Sequence, residues 1–527
     1  MAVPSARVAE KIRESAGPRP GADKQHLPTT RIWVGRALGP ALALLAYFLI
    51  PADPALTQQG RATAAIVILV AIWWMTEALP LSATALIPIV ALPLAGVLAL
   101  DEATAAYANP TVFLFMGGFM IALAMQKWNL HLRIALLTMR MIGTKPRRLI
   151  LGVMIATAFL SMWVSNTATT MMMLPIGLSV IAMASKGVPG EDGEEGEDKA
   201  SNPAVKQFSV TLMLSIAFAA TIGGLSTLIG SPPNLILAGF VEETYGISIS
   251  FADWMFVGVP LAAVFLVIAW VLMTRVIFPV KLDQIAGGKS VIHDRLKDLG
   301  KMSRGEWIVL VVFACTALLW IFKAQITSEA VTSVLPWVAG LDDANIAIGA
   351  AIILFLIPTD AKKGEFALDW KTVQTGIPWG VLLLFGGGLS IAAAVSATGL
   401  SEYIGTQVSG LGVLPTVLLV AAVCLIVLLL TELTSNTATA ATFLPVLGGV
   451  AIGIGVDPLL LLIPAAFAAT CSFMFPVGTP PNAIVFGSGQ VTIGQMVKAG
   501  IWLNLIGVVL ITAAVYLIGG PVFGLQF

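Results

Sequence analysis

Along this chain the hydrophobic pattern is long, nearly continuous, and broken by short polar phrases that occur in pairs. A membrane-crossing helix needs about 20 mostly apolar residues. Segments of that kind fall at 37–53, 62–78, 82–100, 109–127, 253–278, 306–324, 344–358, 378–396 and 500–520, with two longer, interrupted ones at 207–240 and 456–494. Two further apolar stretches, 149–184 and 412–454, each carry a polar phrase at the middle: Ser165-Asn166-Thr167-Ala168-Thr169, and 270 residues later Ser435-Asn436-Thr437-Ala438-Thr439. Uncharged hydroxyls and amides have no cheap place in lipid. Each stretch is therefore expected to form a re-entrant hairpin, two half-length helices that meet at the phrase and return to the side they came from.

A second phrase is also doubled. Gly230-Ser231-Pro232-Pro233-Asn234 and Gly478-Thr479-Pro480-Pro481-Asn482 interrupt the two broken segments. Paired prolines remove backbone donors and clash with the preceding turn, and Gly223, Gly224 and Gly230 loosen the same region. Unwound backbone at membrane depth survives only where protein or water covers it. The second offset is 248, and the missing 22 residues sit in a polar insertion around 186–206. Glu191, Asp192, Glu194, Glu195, Glu197 and Asp198 make that insertion a solvated cytoplasmic loop. The repeat also aligns Gly117-Gly118 with Gly386-Gly387-Gly388, which permit close helix packing.

The predicted architecture is an all-α polytopic membrane protein, an inverted-repeat transporter with about 11 transmembrane helices and two re-entrant hairpins. It divides into a tail (1–36), a first span with the first repeat (37–278), a cytoplasmic linker (279–305) and a second repeat (306–527). Composition agrees: 57% of the 527 residues are hydrophobic and 11% charged, against about 25% charged in soluble domains, and the mean hydropathy is +0.92. With the polar N-terminal tail inside, every Lys and Arg except Arg61 and Lys323 falls on the cytoplasmic side. This positive-inside pattern predicts a multi-pass cell (inner) membrane protein with a cytoplasmic N-terminus and an external C-terminus. It puts the two hairpins on opposite sides, so the halves are inverted.

A formal net charge of zero suggests no nucleic-acid partner. Cys315, Cys424 and Cys471 lie singly in apolar sequence and read as core residues, and His26, His131 and His293 lie in or beside basic, loop-like sequence. A zinc or haem centre does not fit this pattern, and neither do a nucleophile–base pair or an enzyme active site. A channel fits poorly, because paired broken helices suit an occluded site. Glu432, three residues before Ser435, reads as a structural carboxylate bonded to nearby hydroxyls or backbone, with proton relay or cation attraction as the alternative. Glu77 reads as an interfacial structural acid, beside Trp73 and Trp74 of an interfacial aromatic belt.

The residues that remain suit ions. Free carbonyls and Ser, Thr and Asn oxygens are hard ligands appropriate to Na⁺. The helices leaving the hairpin tips start near Thr167 and Thr437, and their N-termini suit a carboxylate or sulfate. No Lys or Arg lies near the middle of any span. A buried dianion would then need co-bound cations, each about 4 Å away supplying roughly 4 kcal/mol at an effective dielectric of 20.

The doubled Ser-Asn-Thr and Pro-Pro-Asn phrases resemble those of the divalent anion:sodium symporter family, over about 37–522. The resemblance implies a homodimer, in which a transport domain moves as an elevator against a scaffold in the lipid bilayer. It implies one sodium site from Ser161, Ser165, Asn166 and Gly230, and a second from Thr431, Thr434, Asn436 and Gly478. Ser161 and Thr431 each stand four residues before the phrase's Ser, which extends the match. The substrate dianion would meet Asn166, Thr167, Asn436 and Thr437, with Thr479 and Pro480 beside them. The expected function is sodium-coupled symport of C4-dicarboxylates such as succinate, fumarate and malate. Alternatives on the same fold are sodium-independent exchange, or transport of sulfate or citrate.

Overall fold

A computed structural model describes residues 29–51, 56–143, 145–186, 202–282, 288–408 and 414–525. Most of the tail and the acidic segment 191–198 lie outside the described residues.

Helix boundaries follow local chemistry. In the first half the chain forms α1 (Thr29–Leu49), α2 (Gln58–Thr76), α3 (Ile87–Leu94), α4 (Pro110–Lys127), α5 (Leu130–Ile142), α6 (Pro146–Ser161), α7 (Asn166–Lys186), α8 (Pro203–Gly223), α9 (Pro232–Tyr245) and α10 (Phe251–Val271). The second half continues with α11 (Arg304–Ile321), α12 (Asp343–Leu356), α13 (Trp379–Ala397), α14 (Leu400–Val408), α15 (Thr416–Thr431), α16 (Asn436–Ile454), α17 (Leu459–Thr470), α18 (Pro480–Gly487) and α19 (Ile493–Ala514). Asn109 and Asn202 cap α4 and α8 through their side chains, each followed by a proline at the first helical position. Ser303 and Glu306 close a capping box on α11. Among the described residues, ten helices are long and apolar enough to cross a membrane.

The repeat is visible in element order. α6 and α15 are both 16 residues long and lie 270 residues apart. α10 and α19 each run on into a π-helical turn, Leu272–Ile277 and Val515–Gly519. Both Ser-Asn-Thr phrases break their stretches where expected, but the second arms are not half-length. α7 has 21 residues and α16 has 19, about 30 Å of helix each at 1.5 Å per residue.

Other differences have simple causes. The expected span 82–100 is broken: Pro88 and Pro93 lie in α3, and the helical residues fall in short pieces, Leu81–Thr84 and Ile87–Leu94, before a new helix starts at Leu100. Basic sequence after Lys127, expected as loop, is the amphipathic helix α5, and α14 stands at the matching place in the second half. His131 lies in α5, buried, with Nδ1 3.1 Å from the Met125 carbonyl. Burial lowers its pKa below the usual histidine value. Trp74 is buried and donates to the Leu81 carbonyl at 3.2 Å, so it belongs to the core and not to an interfacial belt. Cys315 is exposed, while Cys424 and Cys471 are buried.

Packing joins the halves reciprocally. α9 of the first half lies against α13, α16 and α17, while α18 of the second half lies against α7 and α8. α8 and α17 are apolar on nearly every side and are buried throughout most of their length. Phe218 of α8 meets Phe473 beyond α17 at 5.4 Å, and Trp254 of α10 meets Phe467 of α17 at 4.6 Å. The glycine clusters allow close approach: a Cβ on Gly117 would lie 2.7 Å from the Ala347 carbonyl carbon of α12, and one on Gly387 would lie 2.9 Å from the Ala85 Cα. Each broken helix is therefore lodged among helices of the other half, which brings both interruptions to one place.

Candidate functional site

The interruptions open into one cavity of about 1030 Å³. Ser165, Asn166, Thr167, Gly230, Ser231 and Pro232 line it from the first half, and Ser435, Asn436, Thr437, Gly478, Thr479 and Pro480 from the second. Of the expected site residues, Ser161, Thr431 and Thr434 do not line it; they are buried behind the phrases. The rest of the wall is mostly apolar, with Phe115, Phe119, Leu123 and Leu384 among its members. No Lys or Arg is among the described lining residues, as the sequence led us to expect.

The first half-site is built on oxygens. Ser161 Oγ donates to Asn166 Oδ1 at 2.6 Å. The same amide end faces the carbonyl oxygens of Ala220, in the last turn of α8, and of Gly230. Oxygen facing oxygen is unfavourable unless something positive intervenes, and two arrangements supply it. With the amide turned over, Nδ2 donates to Ala220 O at 3.1 Å, Gly230 O at 3.3 Å and Ser161 Oγ at 2.6 Å. Alternatively, a hard cation is held among Ser161, Asn166, Ala220 and Gly230 oxygens. Gly224 makes this approach possible, since a Cβ there would lie 2.6 Å from Asn166 Oδ1.

The second half-site has the same frame and a different closure. Thr431 Oγ1 lies 2.7 Å from Asn436 Oδ1 and 2.9 Å from the Ala469 carbonyl oxygen, and Asn436 Nδ2 donates to Thr470 O at 3.1 Å. Thr434 turns away, its hydroxyl 2.8 Å from Leu430 O and 2.6 Å from Thr439 Oγ1. In both half-sites the terminal carbonyls of a buried helix, the negative end of its dipole, meet the amide of a phrase.

Anion donors come from the other polarity. α7 and α16 begin at Asn166 and Asn436, so the N–H groups of their first turns lie beside the cavity, although in α7 the Ala168 N–H already donates to Ser165 Oγ at 3.3 Å. α9 and α18 offer fewer: their first two residues are prolines, and in α18 the third N–H, of Asn482, goes to Thr479 Oγ1 at 3.4 Å. Thr479 keeps its own hydroxyl proton to donate, whereas Pro480 offers only a packing surface. Ser231, its counterpart, instead reaches Thr470 Oγ1 at 3.1 Å across the two halves.

Several contributors were not assigned a role from sequence. Asn234 Nδ2 donates to Gly224 O at 2.9 Å and Thr227 O at 2.8 Å, and Asn482 Nδ2 donates to Ser472 O at 3.3 Å and Phe475 O at 3.1 Å. The Asn of each Pro-Pro-Asn phrase therefore ties down its own unwound loop. The doubling of the phrase was the available signal for this. Glu432 is the structural carboxylate expected. It accepts from Ser472 Oγ at 2.9 Å, from the N–H groups of Phe473 at 2.7 Å, Met474 at 3.0 Å and Phe475 at 3.3 Å, and from Asn504 Nδ2 at 2.7 Å. Glu77, expected as an interfacial structural acid, stands at the end of α2 and also lines the cavity, a position the sequence did not indicate.

A family model described as the sodium:sulfate symporter transmembrane region matches residues 32–525. The chain is similar to the sodium-dependent dicarboxylate transporter SdcS of Staphylococcus saprophyticus, 43% identical over 494 residues that cover 94% of this chain and 92% of that one. It is similar to SdcS of Staphylococcus aureus strain USA300 at 43% over 496 residues, with the same 94% and 92% coverage. Among solved structures it resembles the Alcanivorax borkumensis YdaH transporter, with a TM-score of 0.57, 15% identity, and 87% and 98% of the two chains covered. It resembles MtrF of Neisseria gonorrhoeae to the same TM-score of 0.57, at 13% identity, over 95% and 96% of the chains. At such identities the structural likeness is one of fold alone.

Proposed function

The chain belongs to the sodium:sulfate symporter family, and on that premise we propose that it is a sodium-coupled symporter of C4-dicarboxylates such as succinate, fumarate and malate. The observation that carries this reading is a single cavity lined by both Ser-Asn-Thr phrases and both prolyl phrases, with no lysine or arginine among the described residues of its wall. Relatives at 43% identity named sodium-dependent dicarboxylate transporters support both the coupling ion and the substrate class.

The mechanism follows from the two helix polarities. Na⁺ suits the oxygens at the ends of α8 and α17, where Asn166 and Asn436 complete the set. The two carboxylates of the substrate suit the starts of α7 and α16, with the hydroxyls of Thr167, Thr437 and Thr479 as donors. Each Asn touches both the cation set and the anion cavity, so cation binding orders the residue that meets the anion. Cation charge nearby also offsets the desolvation of the dianion, adding to the helix starts and hydroxyls a full positive charge that no lysine or arginine among the described lining residues supplies. Na⁺ binding first and substrate second is the order this favours.

Glu77, Ser82 and Gln126 line the cavity and lie at helix ends that the distribution of Lys and Arg assigns to the cytoplasm. This supports an inward-open state of an elevator, in which re-entrant hairpins and broken helices of two inverted halves move against the remaining helices, within a homodimer. The N-terminus would be cytoplasmic and the C-terminus external.

Uptake of radiolabelled succinate into proteoliposomes tests the proposal. Uptake should require Na⁺ and be competed by fumarate and malate more strongly than by citrate or sulfate. Uptake that persists in choline buffer would replace symport with exchange, and stronger competition by sulfate or citrate would move the substrate class.

A further inference from the structure

Glu77 is the one charged residue among the described residues lining a cavity that, on the reading above, takes a dianion. A fixed negative charge is the wrong sign for holding such a substrate, yet the fold takes trouble to keep it there. Glu77 closes α2 with a left-handed backbone, φ 51°, which glycine would adopt without strain and other residues seldom do. The turn is fastened from outside. Arg31 donates to the Met75 carbonyl, Arg36 Nε donates to the Ala78 carbonyl at 3.0 Å, and the Trp73 indole donates to Gly35 O at 3.1 Å. Both nearby guanidinium groups thus bond backbone, and the Glu77 carboxylate has no hydrogen bond or ion pair among the described residues.

We propose that Glu77 is a specificity-determining charge of the transport cavity: it repels the dianion and attracts cations, so that anion affinity depends on prior cation occupancy. The effect is Coulombic and scales with ligand charge. At about 10 Å, in bulk-like water, a unit charge changes the affinity of a dianion roughly fourfold, and more where the cavity walls lower the dielectric. The charge belongs to α2 and not to the helices that carry the phrases. It therefore acts on the anion only while the phrases open on this cavity, where it favours release.

The test is equilibrium binding of succinate, and of a matched monocarboxylate, to the full-length protein in detergent at low and at saturating Na⁺. The variants are Glu77→Gln, Glu77→Gly and Glu77→Asp. Gln and Gly both remove the charge, and Gly also relieves the backbone, so both should bind succinate about 4- to 10-fold more tightly at low Na⁺. The gain should shrink at saturating Na⁺ and be smaller for the monocarboxylate, while Asp should resemble the parent. Unchanged or weaker succinate binding in both Gln and Gly, or an equal gain for the monocarboxylate, overturns the proposal. Because it rests on the proposed function, the parent protein separates the two failures. If the parent binds no dicarboxylate at any Na⁺ concentration, the functional reading fails. If it binds with Na⁺ dependence and the variants match it, only the role of Glu77 fails.

Discussion

Asn166 and Asn436 do the most with the fewest atoms. Each lines the cavity and each touches the terminal carbonyls of a buried helix, so one amide meets both ion types. Asn166→Ala is expected to abolish Na⁺-dependent uptake while the protein still reaches the membrane. It should also lose most of the Na⁺-dependent rise in melting temperature in detergent, since a ligand stabilises only the state that binds it. Normal uptake by this variant would remove the residue from the site. Gly224 is a sharper probe. An alanine Cβ would fall 2.6 Å from Asn166 Oδ1, and buried backbone leaves it little room to retreat. Gly224→Ala should therefore cost at least tenfold in uptake, about 1.4 kcal/mol, with little loss of folded protein by size-exclusion chromatography. The phrases themselves could be read from sequence, because polar residues repeated in lipid-grade sequence have few explanations. Gly224 was visible only as a loosening residue; its actual role needed the distance to Asn166.

Among the elements, the two halves are alike in plan and differ in fastening. Asn234 and Asn482 tie their unwound loops in the same way. Only the second half adds a carboxylate, with Glu432 gathering the N–H groups of Phe473, Met474 and Phe475. At the matching place in the first half stands Met162, whose backbone carbonyl accepts from Thr227. Glu432→Ala would strand several buried donors at about 1–3 kcal/mol each, so it should lower the melting temperature sharply and reduce the yield of folded protein. Glu432→Gln, which keeps an acceptor oxygen, should do less. Equal melting temperatures for Glu432→Ala and the parent would show that the carboxylate does not hold the loop. The amphipathic helix α5 is not legible as a span because it contains Arg133 and Arg140, and α14, with 9 residues, is too short to be one. The helical period of α5 is nonetheless present, with Leu130, Ala135, Leu136 and Met139 turned inward.

For the molecule as a whole, stability should carry a pH signature. His131 is buried and its pKa is lowered, so the folded state holds it neutral while the unfolded chain protonates near pH 6.5. Its contribution is then fully present above that value and is lost as pH falls below it. Melting temperatures measured from pH 8 down to pH 5 should drop, and His131→Gln should flatten the drop; an unchanged slope would assign the effect elsewhere. The sequence alone determined the class of the molecule, the doubled phrases, their position at helix breaks and the lack of basic residues around them. All of these are properties of composition and local order, and lipid penalises polar groups wherever they fall. Tertiary structure alone decided that α9 lodges in the second half and α18 in the first. It also decided that the terminal carbonyls of α8 and α17 reach the phrases, and that Glu77 faces the cavity. Contacts between residues hundreds of positions apart depend on how helices cross, and no local pattern in the chain encodes that.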